Sequence, residues 1–245
     1  MATIEQLEAK VEKLEKEVLR QQKFADMQAI QQLMGRYIFY MEMGWVGRVW
    51  DDLWTHKDPD VRVEIMDSGA YHGQEHVKRV WYTMSGRVDK AGNPVDDKAT
   101  GMSNTFAMNP QLLLMLTIST PLIQVSEDGT HAWGQWHIFG PHTNFVWDPA
   151  SASKKHTAFW IAGKYDNEFI KEDGVWKIQK LRPICWLRTP YDKSWLEVPD
   201  CRRTPTPYYP PDEAPRISSY NPDEAMNPDK WAPAPHEHIA YPQED

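Results

Sequence analysis

Between Val175 and Trp186 the residues Trp176, Ile178, Lys180, Arg182, Ile184 and Trp186 alternate along the chain, so a strand there carries them on one face. Two cations inside a stripe ended by indoles predict an aromatic cavity with positive charge pointing into it; the alternative is that both snorkel at a sheet edge. A second stripe lies at 131–139, where Trp133, Gln135, His137 and Phe139 share one face and Ala132, Gly134, Trp136 and Ile138 the other. Small residues at 132 and 134 let helices approach a concave face. That places Trp136 in the lining of a pocket and turns His137 outward. A metal site built from His131, His137, His142 and His156 is disfavoured, because no ligand spacing recurs among them, and His236 and His238 read as a solvated polar run.

These side chains need a scaffold, and the chain supplies one. The runs either side of Lys171, Glu172, Asp173 and Gly174 predict a long twisted hairpin over 156–186. Leu112–Val125, with a bulge or edge marked by Pro121, and His131–Phe139 add strands joined by a turn at 126–129. Upstream, Met27, Ile30, Leu33, Met34, Tyr37, Ile38 and Met41 recur at helical spacing behind a capping Asp26. Further helices are expected near 46–54 and 74–84, with a strand at 62–66 between them. Ile4, Leu7, Val11, Leu14 and Val18 fall at the a and d positions of a heptad, so residues 1–24 read as a coiled-coil-like helix that mediates self-association. Residues 86–109 break every pattern and predict a lid or a loop. From Pro199 onward lie eleven of the nineteen prolines, which makes 199–245 an extended arm and not a second folded unit. The division expected is thus 1–24, 25–198 and 199–245.

Composition narrows the function. With 245 residues, 41% of them hydrophobic, the chain can bury one good core. A net charge of −8 and the lack of a basic stripe argue against nucleic acid as partner. No apolar run of membrane-spanning length occurs, and the two cysteines, Cys185 and Cys201, have no ligand spacing, so a cytoplasmic, reduced protein is expected. Twelve tryptophans exceed the needs of a core this size and suit a pocket for flat aromatic ligands.

The order helix, helix, strand, helix, then long antiparallel strands resembles the SnoaL-like branch of the nuclear transport factor 2-like superfamily. Residues 36–66 look like that family's opening signature, and the stretch Tyr165–Ile178 like its closing one; the likeness covers about residues 25–190. It implies an α+β fold in which three helices pack on a strongly curved antiparallel sheet to leave a conical pocket, here with an added N-terminal helix and a Pro-rich C-terminal arm. Members include dehydratases, isomerases, dehydrochlorinases and binding modules, so the fold does not settle the chemistry. In the dehydratase-like members an acid on the first helix pairs with a strand histidine. The acid position matches Glu42, a polar position five residues earlier matches Tyr37, and the last-strand arginine matches Arg182. The histidine position falls on Leu116 or Thr117, so His137 and Lys164 are the nearest substitutes.

The long insertion, the tryptophans and the arm resemble, more narrowly, bacterial diarylpropane lyases that act on lignin-derived dimers. That likeness implies a cofactor-independent loss of water and formaldehyde from a diarylpropane-diol, giving a stilbene through a quinone methide. Consistent with it, the sequence has no phosphate loop, dinucleotide fingerprint or metal triad. Arg182 would stabilise the phenolate, and Glu42, desolvated among Tyr37, Tyr40 and Trp45, would shuttle protons. Trp136, Lys164 and Trp186 would line the aromatic site with Tyr40 and Trp45. The alternatives are a SnoaL-like dehydratase or isomerase of another aromatic or polyketide substrate, and a non-catalytic aromatic-ligand-binding module. A small aromatic molecule, and further copies of the chain in a dimer or trimer, are the expected partners; no cofactor or metal is expected.

Overall fold

The computed structural model describes residues 3–66, 69–85, 93, 113–148, 153–198, 210–216, 220, 221 and 223. The expected insertion at 86–109, apart from Asn93, and most of the C-terminal arm lie outside these residues. Helix α1 (Ile4–Glu42) is followed by a short helix α2 (Val46–Arg48), a π-helical turn (Val49–Leu53), strands β1 (Arg62–Ile65) and β2 (Gly69–His72), and helix α3 (Gly73–Met84). Strands β3 (Thr117–Val125), β4 (His131–Asp148), β5 (Ser153–Glu172) and β6 (Val175–Pro190) complete a single sheet of order β2-β1-β6-β5-β4-β3. Every neighbouring pair is antiparallel except β1 and β6.

The two helices read from the first 42 residues are one. Asp26, expected to cap the second, sits in mid-helix and is buried against the sheet, where its carboxylate accepts from Lys171 Nζ at 2.7 Å and Trp176 Nε1 at 2.9 Å. Burial raises the pKa of this group, but these two donors outweigh it and hold the carboxyl below its ordinary value. Asp26 is therefore the rivet between α1 and the β5–β6 hairpin.

That hairpin turns on Asp173 and Gly174, both at positive φ, 51° and 79°, the geometry of a two-residue turn whose twist matches its strands. In β5 the odd residues from Phe159 to Phe169 are buried under the helices and the even ones are turned away from them. Trp54, Trp81, Trp136, Tyr71 and Phe169 are wholly buried and form the floor of the cone with Leu33, Met34 and Leu53. Trp136 occupies its place because Gly134 has no side chain: a Cβ there would stand 2.5 Å from the indole ring. The glycine thus makes room for an indole on its own strand, and not for a helix as the sequence suggests.

Strand β6 departs from strict alternation twice. Phe169 faces Ile178 while Glu168 faces Lys180, so Gln179 is an extra residue; Gly163 faces Cys185 while Ala162 faces Leu187, so Trp186 is another. Each bulge inverts parity. Trp176 and Ile178 consequently face the helices, whereas Lys180, Arg182 and Ile184 lie on the outer side of the sheet. The single stripe expected from Trp176 to Trp186 does not exist. In β3 the register shifts between Ser119 and Leu122, and β3 is an edge strand, as Pro121 leads one to expect.

Candidate active site

The inner face is ordered by depth. At the base, Tyr165 donates to the Tyr37 hydroxyl at 3.5 Å, and Tyr37 sets its ring edge-on to both Tyr165 and Trp81. Complete burial raises both phenols, Tyr37 well above its ordinary value and Tyr165 to about 12, the hydrogen bond to Tyr37 pulling the latter the other way. Both stay neutral near pH 7 and act as hydrogen-bonding groups, not as bases. Trp136 closes the base, its Nε1 donating to Gln31 Oε1 at 2.8 Å and its ring edge-on to Phe169.

Further along β4 and β6 the inner face becomes polar. Residues 113–116 run beside β4: Leu114 bridges His142, and the Leu116 amide donates to Glu42 Oε1 at 3.3 Å. Two residues of extended backbone, about 7 Å, separate the points at which this segment meets His142 and Glu42. His142 is 4% exposed, and burial, aided by the nearby positive charge of Arg188, lowers its pKa to about 3. Its imidazole is therefore neutral across the physiological range. Arg188 pairs in register with Ile161 on the same face and lies over the Phe159 ring at 5.3 Å, while His142 tilts against that ring from the other strand. His142, Phe159 and Arg188 thus form a cationic, aromatic corner inside the sheet, and the adjoining segment 113–116 links it through the Leu116 amide to Glu42 at the end of α1.

Neither His142 nor Arg188 was assigned to the site from sequence. Both lie beyond the points where the predicted strands stop, because β4 runs nine residues past Phe139 and β6 four past Trp186. Continuing the even-numbered inner face of β4 through Gly140 would have found His142, and continuing the even-numbered stripe of β6 past Trp186 would have reached Arg188, because the two inversions of parity cancel.

The structure distributes the predicted residues over three places. Tyr37, Trp136 and Glu42 belong to the inner side. Tyr40 and Trp45 do not surround Glu42: the Tyr40 hydroxyl donates to Asp52 Oδ2 at 2.9 Å, and Arg48 lies over both rings at 4.8 and 5.2 Å. They form a separate cluster at the end of α1, with Trp45 half-exposed. His137, Lys164 and Trp186 do come together, Lys164 Nζ 5.4 Å from the indole centre and His137 edge-on at 5.8 Å, but on the outer face. His137 also meets the Thr120 hydroxyl, and partial burial and the Lys164 charge hold its pKa below the ordinary value.

Arg182 is on that outer face too, for the reason given by the Gln179 bulge. Its guanidinium stands 3.3 Å from Glu64 and 3.6 Å from Asp166. Glu64 also pairs with Arg62 and Arg216, and Asp166 accepts from Trp133 Nε1 and Gln135 Nε2. Lys180 extends the network to Asp60 and Glu168. These groups neutralise one another, so the cations of the 175–186 strand are structural and do not look into the cone. Among the described residues, no group of three or more His, Cys, Asp or Glu is placed to hold a metal ion.

The model of the SnoaL-like domain matches residues 22–182. The chain belongs to this family. The match begins where the exposed half of α1 ends and runs through five strands into the sixth, stopping at Arg182, and the curled sheet over three helices is that of the SnoaL-like domain. Among solved structures, the chain is similar to a protein described as a candidate scytalone dehydratase from Novosphingobium aromaticivorans DSM 12444, at 18% identity over 71% of this chain and 93% of that one, TM-score 0.48. It is similar also to hexachlorocyclohexane dehydrochlorinase LinA-type3 from Novosphingobium barchaimii LL02, at 18% identity over 71% and 96%, TM-score 0.44. A nuclear transport factor 2-like superfamily protein from Salmonella enterica serovar Typhimurium matches at 16% identity over 69% and 97%, TM-score 0.41. No curated protein gives a significant match. No helix among the described residues is long and apolar enough to cross a membrane.

Proposed function

We propose that this SnoaL-like domain is a cofactor-independent lyase acting on phenolic aromatic compounds, with loss of water and formaldehyde from a diarylpropane-diol as the reaction. The observation that carries this reading is the corner formed by His142, Phe159 and Arg188, with Glu42 of α1 held to the adjoining segment by the Leu116 amide. In this reading an aryl ring stacks against Phe159 and its phenolate oxygen lies at Arg188, whose fixed charge lowers the cost of ionising the phenol. The ionised phenol expels the benzylic hydroxyl as the Glu42 carboxyl supplies the proton that makes it water. The quinone methide that remains is an electron sink. The resulting Glu42 carboxylate takes the proton of the terminal hydroxyl, the C–O bond becomes the carbonyl of formaldehyde, and the breaking C–C bond delivers its electron pair through the new alkene to the phenolate. Water and formaldehyde leave, a stilbene forms, and Glu42 has regained the proton it gave. His142, neutral, is a hydrogen-bond partner for the substrate and not a titrating base. Arg182, His137, Lys164 and Trp186 have no part in this site, being on the other side of the sheet.

The test is incubation with a panel of phenolic diaryl dimers while stilbene absorbance and formaldehyde are followed together, with Glu42→Gln alongside. Equal release of both products by the wild type is expected, with turnover of the variant lower by about 10²–10⁴ and binding retained. Normal turnover by Glu42→Gln with a raised KM would leave Glu42 only a positioning role.

A second reading is favoured by one observation, the packing of the cone's base with Tyr37, Trp81, Trp136, Tyr165 and Phe169. Such a floor suits an aromatic-ligand-binding module that performs no chemistry. Binding of panel compounds without product from any of them would select it.

A further inference from the structure

The first half of α1 stands clear of its own domain with an apolar stripe uncovered. Ile4, Leu7, Val11, Leu14 and Val18 are between 52% and 75% exposed, although the helix is firmly started by a reciprocal cap between Thr3 and Gln6. Burial of α1 begins only at Asp26, and the face it buries there carries Ile30, Leu33, Met34, Tyr37 and Ile38. At 3.6 residues per turn that face lies about 130° round the helix from the stripe. The stripe's own line continues instead through Ala25, Ala29, Gln32 and Arg36, all exposed or half-exposed and two of them alanine. A groove of about 880 Å³ between Lys16–Met27 and Pro121–Val125 opens on the domain side and is left untouched by anything seated on the stripe.

We infer that this stripe is the seam of a parallel, in-register, two-stranded coiled coil with a second copy of the chain. Isoleucine and valine at a with leucine at d favour two strands. Charge selects the orientation. With Ile4 at a, Lys10 falls at g and Glu8 and Glu15 at e. In a parallel pair Lys10 of each copy faces Glu15 of the other, two attractive contacts with no like-charge contact to oppose them. An antiparallel pair brings Glu8 against Glu15 twice, cancelling what Lys10 gains against Glu17. The intrahelical pair Glu12–Lys16 sits on the outside of the coil in either case and does not discriminate. A parallel coil also sets both domains at the same end, and because each lies well round the helix from the seam, the partner helix continues past Ala25 and Ala29 without meeting either. With fewer than three heptads the association is concentration-dependent.

Sedimentation of the full chain over a concentration series, with helicity checked by circular dichroism, tests this. The wild type is expected to form a dimer. Leu14→Asp, at an exposed site that the fold does not use, is expected to weaken it at least a hundredfold. Glu15→Lys is expected to weaken it by roughly tenfold, since it sets a second cation against Lys10 of the other copy, and Lys10→Glu combined with Glu15→Lys to restore it. A monomer at every concentration, a trimer, or a dimer indifferent to Leu14→Asp would each overturn the inference. Tighter dimerisation by Glu15→Lys would overturn it too, showing antiparallel helices, because there the change relieves the contact with Glu8.

Discussion

Arg182 and Arg188 stand six residues apart on β6 and face opposite sides of the sheet. Arg182 neutralises Glu64 and Asp166, whose side chains are 9% and 10% exposed. Removing it leaves carboxylates short of a partner in a poorly hydrated place. Arg182→Met is therefore expected to cost about 2 kcal/mol of stability, less than a fully isolated pair because Arg62 and Arg216 remain on Glu64, and to leave activity in the folded fraction near normal. Arg188→Met keeps apolar contact with Phe159 but loses the charge, so it is expected to lower turnover about a hundredfold with little loss of stability. Chemical denaturation and initial rates on the same preparations separate the two. His142 gives a pH signature. Its folded pKa of about 3 is far below the ordinary 6.5, so the unfolded chain binds a proton that the folded one refuses. Stability from this group is complete above pH 6.5 and is lost progressively as pH falls towards 3, by at most about 5 kcal/mol. His142→Phe is expected to flatten the decline of stability between pH 6.5 and 4, which urea denaturation at a series of pH values would detect.

The same two arginines mark where strand elements stop being legible in a sequence. Asp173 and Gly174 flanked by β-rich runs announce a hairpin, and Pro121 announces an irregular edge; both signals are local, because each depends on the φ angles of one or two residues. The inward face of β4 was legible as well, from the small residues opposite Trp133, Gln135 and His137. A bulge is different. Gln179 and Trp186 are extra residues only with respect to the partner strand, and nothing in their own chemistry marks them; a reading at period two therefore carried Lys180 and Arg182 to the wrong side. The turn itself can be tested. Gly174 has φ +79° and no atom within 4 Å of where a Cβ would stand, so Gly174→Ala meets a conformational cost alone. About 1 kcal/mol and a fall in Tm of a few degrees are expected, with activity unchanged. Gly134→Ala lies at an ordinary φ but would clash with the Trp136 ring, so it should cost more and disturb the floor of the cone.

At the scale of the whole molecule the helix α1, the sheet and part of the C-terminal arm are tied together through charged groups. Asp26 joins α1 to the hairpin from inside. On the other side, Glu213 adds a backbone bridge to Ala70 on β2, the edge strand, and its carboxylate accepts from Arg62 at 3.0 Å and pairs with His72 at 2.9 Å. Next to it, Asp212 accepts from the His72 amide at 2.8 Å and pairs with His76 on α3 at 2.9 Å. These two residues thus cover the edge that β2 would otherwise present, at the end of the sheet opposite β3. Gly69 is part of the same arrangement: a Cβ there would collide with the Glu213 carbonyl oxygen, so only glycine lets the arm come this close. Since Glu213 is half-exposed, its ion pairs are screened, and the larger share of the stabilisation belongs to the backbone bridge and the capped His72 amide. Asp212→Ala with Glu213→Ala is therefore expected to cost about 1–2 kcal/mol and not to unfold the domain. Because β2 and α3 carry none of the residues of the proposed site, its activity should survive. Hydrogen exchange is expected to accelerate at Ala70 and His72 and to stay slow in β5. Fast exchange spreading into β5 would mean that the arm supports the whole sheet and not only its edge.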